Sequence, residues 1–142
     1  MDPVRHVLFR AGGERFALPL DSVREVVIPQ SPFARVPRAG AAVRGAMNLR
    51  GRVVAVVDLA ALVGVGSETL QAGRGQVVIL DRDRRSLGLL VAQVFGVGPL
   101  RPDREEPPGS MVRGIGQIDG GAITLLDPDA VAAHSAAQFG QG

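Results

Sequence analysis

The feature that most constrains this chain is an internal repeat. Residues 45–58 read GAMNLRGRVVAVVD, and 69 positions later residues 114–127 read GIGQIDGGAITLLD. The opening glycine, the turn glycine (Gly51 and Gly120) and the closing aspartate coincide, and Arg44 and Arg113 stand just ahead of the two blocks. A second match, offset by 71 residues, sets 8–26 against 79–97. There Phe16/Leu87, Leu18/Leu89, Leu20/Val91, Val23/Val94 and Val26/Val97 keep their apolar character. A repeat of this kind implies two copies of one supersecondary unit that bury their apolar faces together.

Each half follows one recipe. An apolar run (7–9; 77–80) meets a turn at Gly12-Gly13 or Asp83-Arg84, and an alternating run follows (15–20; 86–91). A bend with Val at i and i+3 comes next, then a hairpin closing at Arg50-Gly51 or Gly120-Gly121. Short strands with Gly and Pro punctuation predict an all-β fold, with strands over 5–10, 15–20, 43–49, 52–57, 76–81, 86–92, 114–118 and 122–126. Ser22-Val23-Arg24-Glu25 has the form of a capping box, but Pro29 leaves room for only a turn of helix there. Asp58 and Asp127 are suited to N-cap short helices, the first stopped by Gly64 and the second begun by Pro128. Residues 66–74 and 98–109 are expected as loops, and 136–142 as a frayed end.

The residue inventory excludes much chemistry. All sixteen basic residues are Arg, so no lysine is present for a phosphate loop or a Schiff base. Without Cys there is no disulfide, thiolate metal site or cysteine nucleophile. His6 and His134 lie near opposite ends without carboxylates at ligand spacing, and no serine sits in a nucleophile elbow. The Gly-rich stretch at 38–51 lacks the strand-then-helix setting of a dinucleotide site. Enzyme activity, a metal and a cofactor are therefore not expected. The arginines are dispersed among acids for a net charge of +2, and aromatics are few, unlike a nucleic-acid surface. No signal peptide is evident, and the apolar stretch 53–65 is too short for a membrane helix, which predicts a cytosolic, soluble protein.

Asn48-Leu49-Arg50-Gly51, followed by VVAVVDL, resembles the signature of the CheW-like family, the coupling proteins of bacterial chemosensory arrays. The likeness extends over FALPLDSVREVV (16–27), the central block 36–59, LGLLVAQVFGV (87–97) and GIGQIDGGAITLLDPDAV (114–131). One departure is Ala92, where the family usually carries an acid after LLV; the first-half equivalent is Asp21.

The resemblance implies one CheW-like domain over 1–142, made of two packed five-stranded β-barrels. The boundaries expected are about 15–75 and 76–142, with the N-terminal strand completing the second barrel. It implies an adaptor that docks on the regulatory domain of a CheA-like histidine kinase and takes the cytoplasmic tip of a chemoreceptor in the groove between barrels. The array served is flagellar chemotaxis or, alternatively, pilus motility or other signalling. The rival is a small-barrel module binding peptide or nucleic acid.

Candidate kinase-docking residues are Val23, Glu25, Asn48, Leu49 and Arg50, and candidate groove residues are Leu87, Leu89, Val91 and Val94. Arg50 reads in two ways. It either caps carbonyls of its own hairpin or presents a planar fork to a carboxylate across an interface. Val26 reads as core and Val23, at the bend, as exposed contact. Leu89, Val91 and Val94 alternate with Leu90, so one set should be core and the other line the groove. Gly45, Gly51 and Gly120 read as backbone requirements for turns and close strand approach.

Overall fold

The computed structural model describes residues 3–29, 33–67, 75–82 and 85–139. The first half contributes β1 (Val4–Ala11), β2 (Glu14–Pro19), β3 (Val23–Val27), β4 (Val43–Leu49), β5 (Arg52–Asp58) and α1 (Leu59–Val63). The second contributes β6 (Gln76–Arg82), β7 (Arg85–Val91), β8 (Gln93–Leu100), the two-residue β9 (Arg104–Glu105), β10 (Val112–Ile118), β11 (Gly121–Leu126) and α2 (Pro128–Ala136). The fold is mainly β with short helices, as expected.

The strands form two sheets, ordered β3-β6-β7-β5-β4 and β8-β1-β2-β11-β10-β9. Under the sequence repeat β1 corresponds to β6, β2 to β7, β3 to β8, β4 to β10 and β5 to β11, so the two orders are the same. β9 is an added sixth strand in one sheet. The halves exchange strands. β1 and β2 of the first half complete the sheet of the second, while β6 and β7 complete the sheet of the first. The parallel pairs β5·β7 and β11·β2 are the joints of this exchange. A cut at 75/76 follows the repeat but not the sheets, because β2, β6 and β7 each lie across it from the sheet they join.

The exchange explains the apolar runs. β1 sends Val7 and Phe9 into a cluster between the sheets and Leu8 into the interior of its own sheet. β6 does the same, with Val78 and Leu80 between the sheets and Val77 and Ile79 inside. Strands covered on both faces need continuous apolar sequence. Phe9 and Phe16 stack at 6.2 Å between ring centroids in the shared cluster.

Local chemistry fixes the ends. Asp58 Oδ1 accepts from the Ala61 N–H at 3.4 Å at the start of α1, and Gly64, at φ 80°, ends that helix. Asp127 Oδ1 accepts from Asp129 and Ala130 N–H at 3.0 and 3.3 Å at the start of α2. The same aspartates bind the equivalent arginines: Arg44 Nη2 to Asp58 Oδ2 at 2.6 Å, and Arg113 Nη2 to Asp127 Oδ2 at 3.6 Å. Gly45 lies not in a turn but at a bulge of β4 (φ 139°). A Cβ there would sit 2.5 Å from the Ala34 carbonyl oxygen.

Several expectations are corrected. The capping box does not form: Leu20–Ser22 is a 3-10 turn in which Ser22 Oγ donates back to the Pro19 carbonyl at 2.6 Å, and Val23–Val27 is strand. The second hairpin turns at Asp119-Gly120, one residue earlier than read, with φ 47° and 76°. Most of the expected loop at 98–109 surrounds the end of β8 and the short β9. Residues 68–74, the Asp83-Arg84 turn and 140–142 lie outside the described residues.

Candidate functional site

The β4–β5 hairpin positions the first candidate. Leu49 pairs with Arg52 across a two-residue turn, Arg50-Gly51, whose φ values are 49° and 84°. Positive φ at both central residues is the type I′ pattern that suits strand twist. Asn48 secures it, its Oδ1 accepting from the Gly51 N–H at 2.8 Å. Arg50 is thus a non-glycine residue held in a conformation that costs energy. Its guanidinium leaves the hairpin and crosses to β3, where Nη2 donates to Glu25 Oε2 at 2.5 Å.

β3 and β4 are the two edges of their sheet, so this ion pair ties the sheet's open seam. Beneath it Val27, Phe33, Met47 and Leu49 pack on the interior cluster of Val54, Val56, Val77, Ile79 and Leu90. A second polar line crosses the same sheet. Arg24 Nη1 meets Asp81 Oδ2 at 2.8 Å, Ser86 Oγ donates to Asp81 Oδ1 at 2.7 Å, and Arg52 donates to Ser86 Oγ at 2.7 Å. The Arg50 guanidinium holds the Glu25 carboxyl below its usual range. The Ser86 hydroxyl, and then Arg24 and Arg52, do the same for Asp81. Both carboxylates are therefore charged through the neutral range.

Neither reading of Arg50 anticipated this geometry. The fork neither caps a carbonyl of its own hairpin nor stands unengaged; it is held by Glu25 while its side chain stays 65% exposed. Asn48 is exposed but committed to the turn, and Leu49 is half-buried against the interior. Val23 and Val26 both pack on the cluster between the sheets, so the expected contrast between them is absent. The exposed apolar residues nearby are Ile28, just beyond β3, and Val53, across from Asn48, 69% and 79% exposed. The reading of the sequence missed both. Val53's place one residue before the buried Val54 was the available signal.

The groove candidates separate. Leu89 and Val91 are fully buried between the sheets and line no groove, because β7 is flanked by β6 and β5 and covered on both faces. Val94 is half-buried on the same cluster, its N–H bound to Gln76 Oε1 at 2.6 Å. Leu87 alone reaches a cavity, of about 730 Å³, which it lines with Ala55 and with residues of α2 and Phe139. Ala92 is exposed, and its N–H donates to the Arg10 carbonyl at 2.8 Å.

Among the described residues no cluster of His, Asp and Glu could hold a metal ion. His6 is buried and its Nδ1 lies 2.8 Å from the Val4 carbonyl oxygen. No described helix is long and apolar enough to cross a membrane.

Two sheets alike in strand order, an asparagine-braced Arg-Gly turn and a seam tied by Glu25 define a pattern that can be compared with known proteins. The CheW-like domain family model matches residues 5–136. The chain belongs to the CheW-like family. It is 30% identical over 129 residues to chemotaxis protein CheW of Thermotoga maritima, covering 87% of this chain and 83% of that one. With chemotaxis protein CheW of Rhizobium meliloti it shares 31% over 134 residues, covering 88% and 84%. Protein PilI of Pseudomonas aeruginosa is 32% identical over 89 residues, 63% of this chain and 49% of that protein. The crystal structure of the scaffolding protein CheW from Thermoanaerobacter tengcongensis superposes with a TM-score of 0.75 at 26% identity, over 88% and 84% of the chains. This CheW-like chain is a scaffold of the chemotaxis family, a family without enzymatic activity.

Proposed function

We propose that this CheW-like chain couples chemoreceptors to a CheA-like histidine kinase in the cytoplasm, with the Glu25–Arg50 corner as its kinase-docking face. The observation that carries the reading is the tied seam on the same hairpin as Val53: a fixed charge pair and an apolar side chain left 79% exposed. Such a corner offers a partner both registry and burial. Charged groups at an interface rim steer and align partners more than they add affinity. The receptor tip is assigned to the groove at Leu87, the one groove candidate that reaches an open cavity. The likeness to protein PilI favours a second setting for the same adaptor, a non-flagellar chemosensory array.

Calorimetry against the kinase regulatory domain tests the docking face. Arg50→Ala is expected to weaken binding about tenfold or more, the size of a lost hydrogen bond to a charged group. The exchange Glu25→Arg with Arg50→Glu separates the two roles of the pair. If the partner's carboxylate meets Arg50, the exchanged protein folds but does not regain affinity. Recovery of wild-type affinity would show that only the tied seam matters, and unchanged binding by Arg50→Ala would remove the site altogether.

A further inference from the structure

The two sheets share a backbone plan at one end and differ there in charge. Under the repeat Arg10 corresponds to Asp81, Arg15 to Ser86, Arg24 to Phe95 and Arg52 to Gly121. The registers agree. Arg10 faces Arg15 across β1–β2 as Asp81 faces Ser86 across β6–β7, and Arg24 and Phe95 each stand at the bulge of an edge strand. In the β3-β6-β7-β5-β4 sheet the four side chains satisfy one another. Asp81 accepts from Ser86 and from Arg24, and Arg52 closes the line onto Ser86.

In the other sheet the same centre is two arginines, flanked by Phe95 and Gly121 instead of by opposite charge. Like charges directly opposite on a sheet repel. Each guanidinium is nonetheless fixed. Arg10 Cζ lies 4.6 Å from the centroid of the Phe95 ring, a cation–π contact, and Arg15 Nη2 donates to the Ile118 carbonyl at 2.9 Å. Gly121 leaves room for the second contact, since a Cβ there would collide with Arg15 Nη2. Neither arginine has a carboxylate partner among the described residues; the exposed Glu14 and Asp119 pair with neither.

The forks diverge, Arg10 over β8 and Arg15 toward the tip of the β10–β11 hairpin. In the order β8-β1-β2-β11 the outer strands are three spacings apart, about 14 Å across the sheet. One small anion does not span that separation. An extended chain sets side chains of one face about 7 Å apart, so carboxylates two or four residues apart on one segment do. We infer that this end of the sheet docks an acidic segment of a partner protein, whose carboxylates pair with Arg10 and Arg15. Both arginines are already seated, so little side-chain freedom is lost on docking. The surface is separate from the Glu25–Arg50 corner and from the cavity at Leu87, and the inference depends on neither.

A glutamate decapeptide is the probe, added to the full chain at about 0.1 M salt, where charges more than roughly 10 Å away are screened. Calorimetry and amide and arginine Nε–H resonances follow it. Saturable binding is expected, with shifts centred on Arg10, Arg15 and Phe95. Arg10→Asp with Arg15→Ser, which installs the residues of the other sheet, should weaken binding at least about tenfold. Arg35→Asp with Arg38→Ser removes the same charge from an exposed loop and should leave binding unchanged. Should the first variant fail to fold, Arg10→Gln and Arg15→Gln singly take its place, each weakening binding about threefold. No saturable shift into the millimolar range, shifts centred on Arg50, or equal weakening by the two double variants would overturn the inference. Tighter binding of a thymidine decanucleotide at the same residues would overturn it in favour of nucleic acid. Shifts of Arg10 and Arg15 that grow with protein concentration in the absence of peptide would overturn it in favour of a second copy.

Discussion

The two repeated aspartates offer a test of how energy is placed in the two halves. Asp58 is fully buried and 2.6 Å from Arg44, whose side chain is 30% exposed. Asp127 is 25% exposed and 3.6 Å from the half-exposed Arg113. Replacement by Asn keeps an oxygen for the helix cap but removes the charge. For Asp58→Asn the loss is a charge-assisted bond in a dry setting, about 2 kcal/mol, at the lower end because Arg44 can recover water. For Asp127→Asn the pair is long and wet, and the loss is below about 0.5 kcal/mol. Alanine at either site removes the cap as well, about 1 kcal/mol more. At roughly 4 °C per kcal/mol for a chain of this size, Asp58→Asn should melt about 8 °C lower and Asp127→Asn within about 2 °C of wild type. Calorimetric melting of the four variants checks this. Equal losses from the two Asn variants, or no loss at Asp58, would refute the argument from burial and distance.

Leu89→Ala should cost about 2–5 kcal/mol in urea unfolding, with partner binding by the folded protein unchanged, because Leu89 is wholly buried. Leu87→Ala should cost less, since part of its surface already meets the cavity; a larger loss than Leu89→Ala would contradict the packing described. Burial pushes the His6 imidazole below its ordinary 6.5, and Arg113 adds to this against the opposing Val4 carbonyl and Asp21. The unfolded chain therefore takes up the proton first. Stability present above pH 6.5 should be lost as pH falls below 6.5 toward the lowered folded value, and His6→Gln should flatten that slope.

Most strands were legible because turns announce them. Gly12-Gly13, Arg50-Gly51 and Gly120 all take positive φ, and the repeat doubled each signal. β3 and β8 were hidden for different reasons. A capping-box pattern at 22–25 competed with the strand, and Gly96, Gly98 and Pro99 disguised β8. Pro99 is tolerated because β8 is an edge strand. Leu89 and Val91 were misplaced because alternation was read as one wet face, and strand exchange left β7 with none. The role of Arg50 was half legible. Its turn is local, but its Glu25 partner depends on two sheet edges meeting, which no spacing records. The cavity at Leu87 gave no sequence signal, since it exists only once α2 lies beside β6 and β7.

The exchange of β1–β2 for β6–β7 has a consequence for how such a chain can be assembled. A half-chain alone would hold two strands whose hydrogen-bonding partners belong to another molecule, and a sheet short of its two central strands. It could satisfy both only by trading those strands with a second copy, as a swapped dimer. Joining the two copies end to end converts that dimer into one covalent chain and replaces a concentration-dependent encounter with an intramolecular search. The covalent join also lets the two copies differ: Arg50 stands at one hairpin tip and Asp119 at the other, and Arg50 is held by Glu25 across its seam.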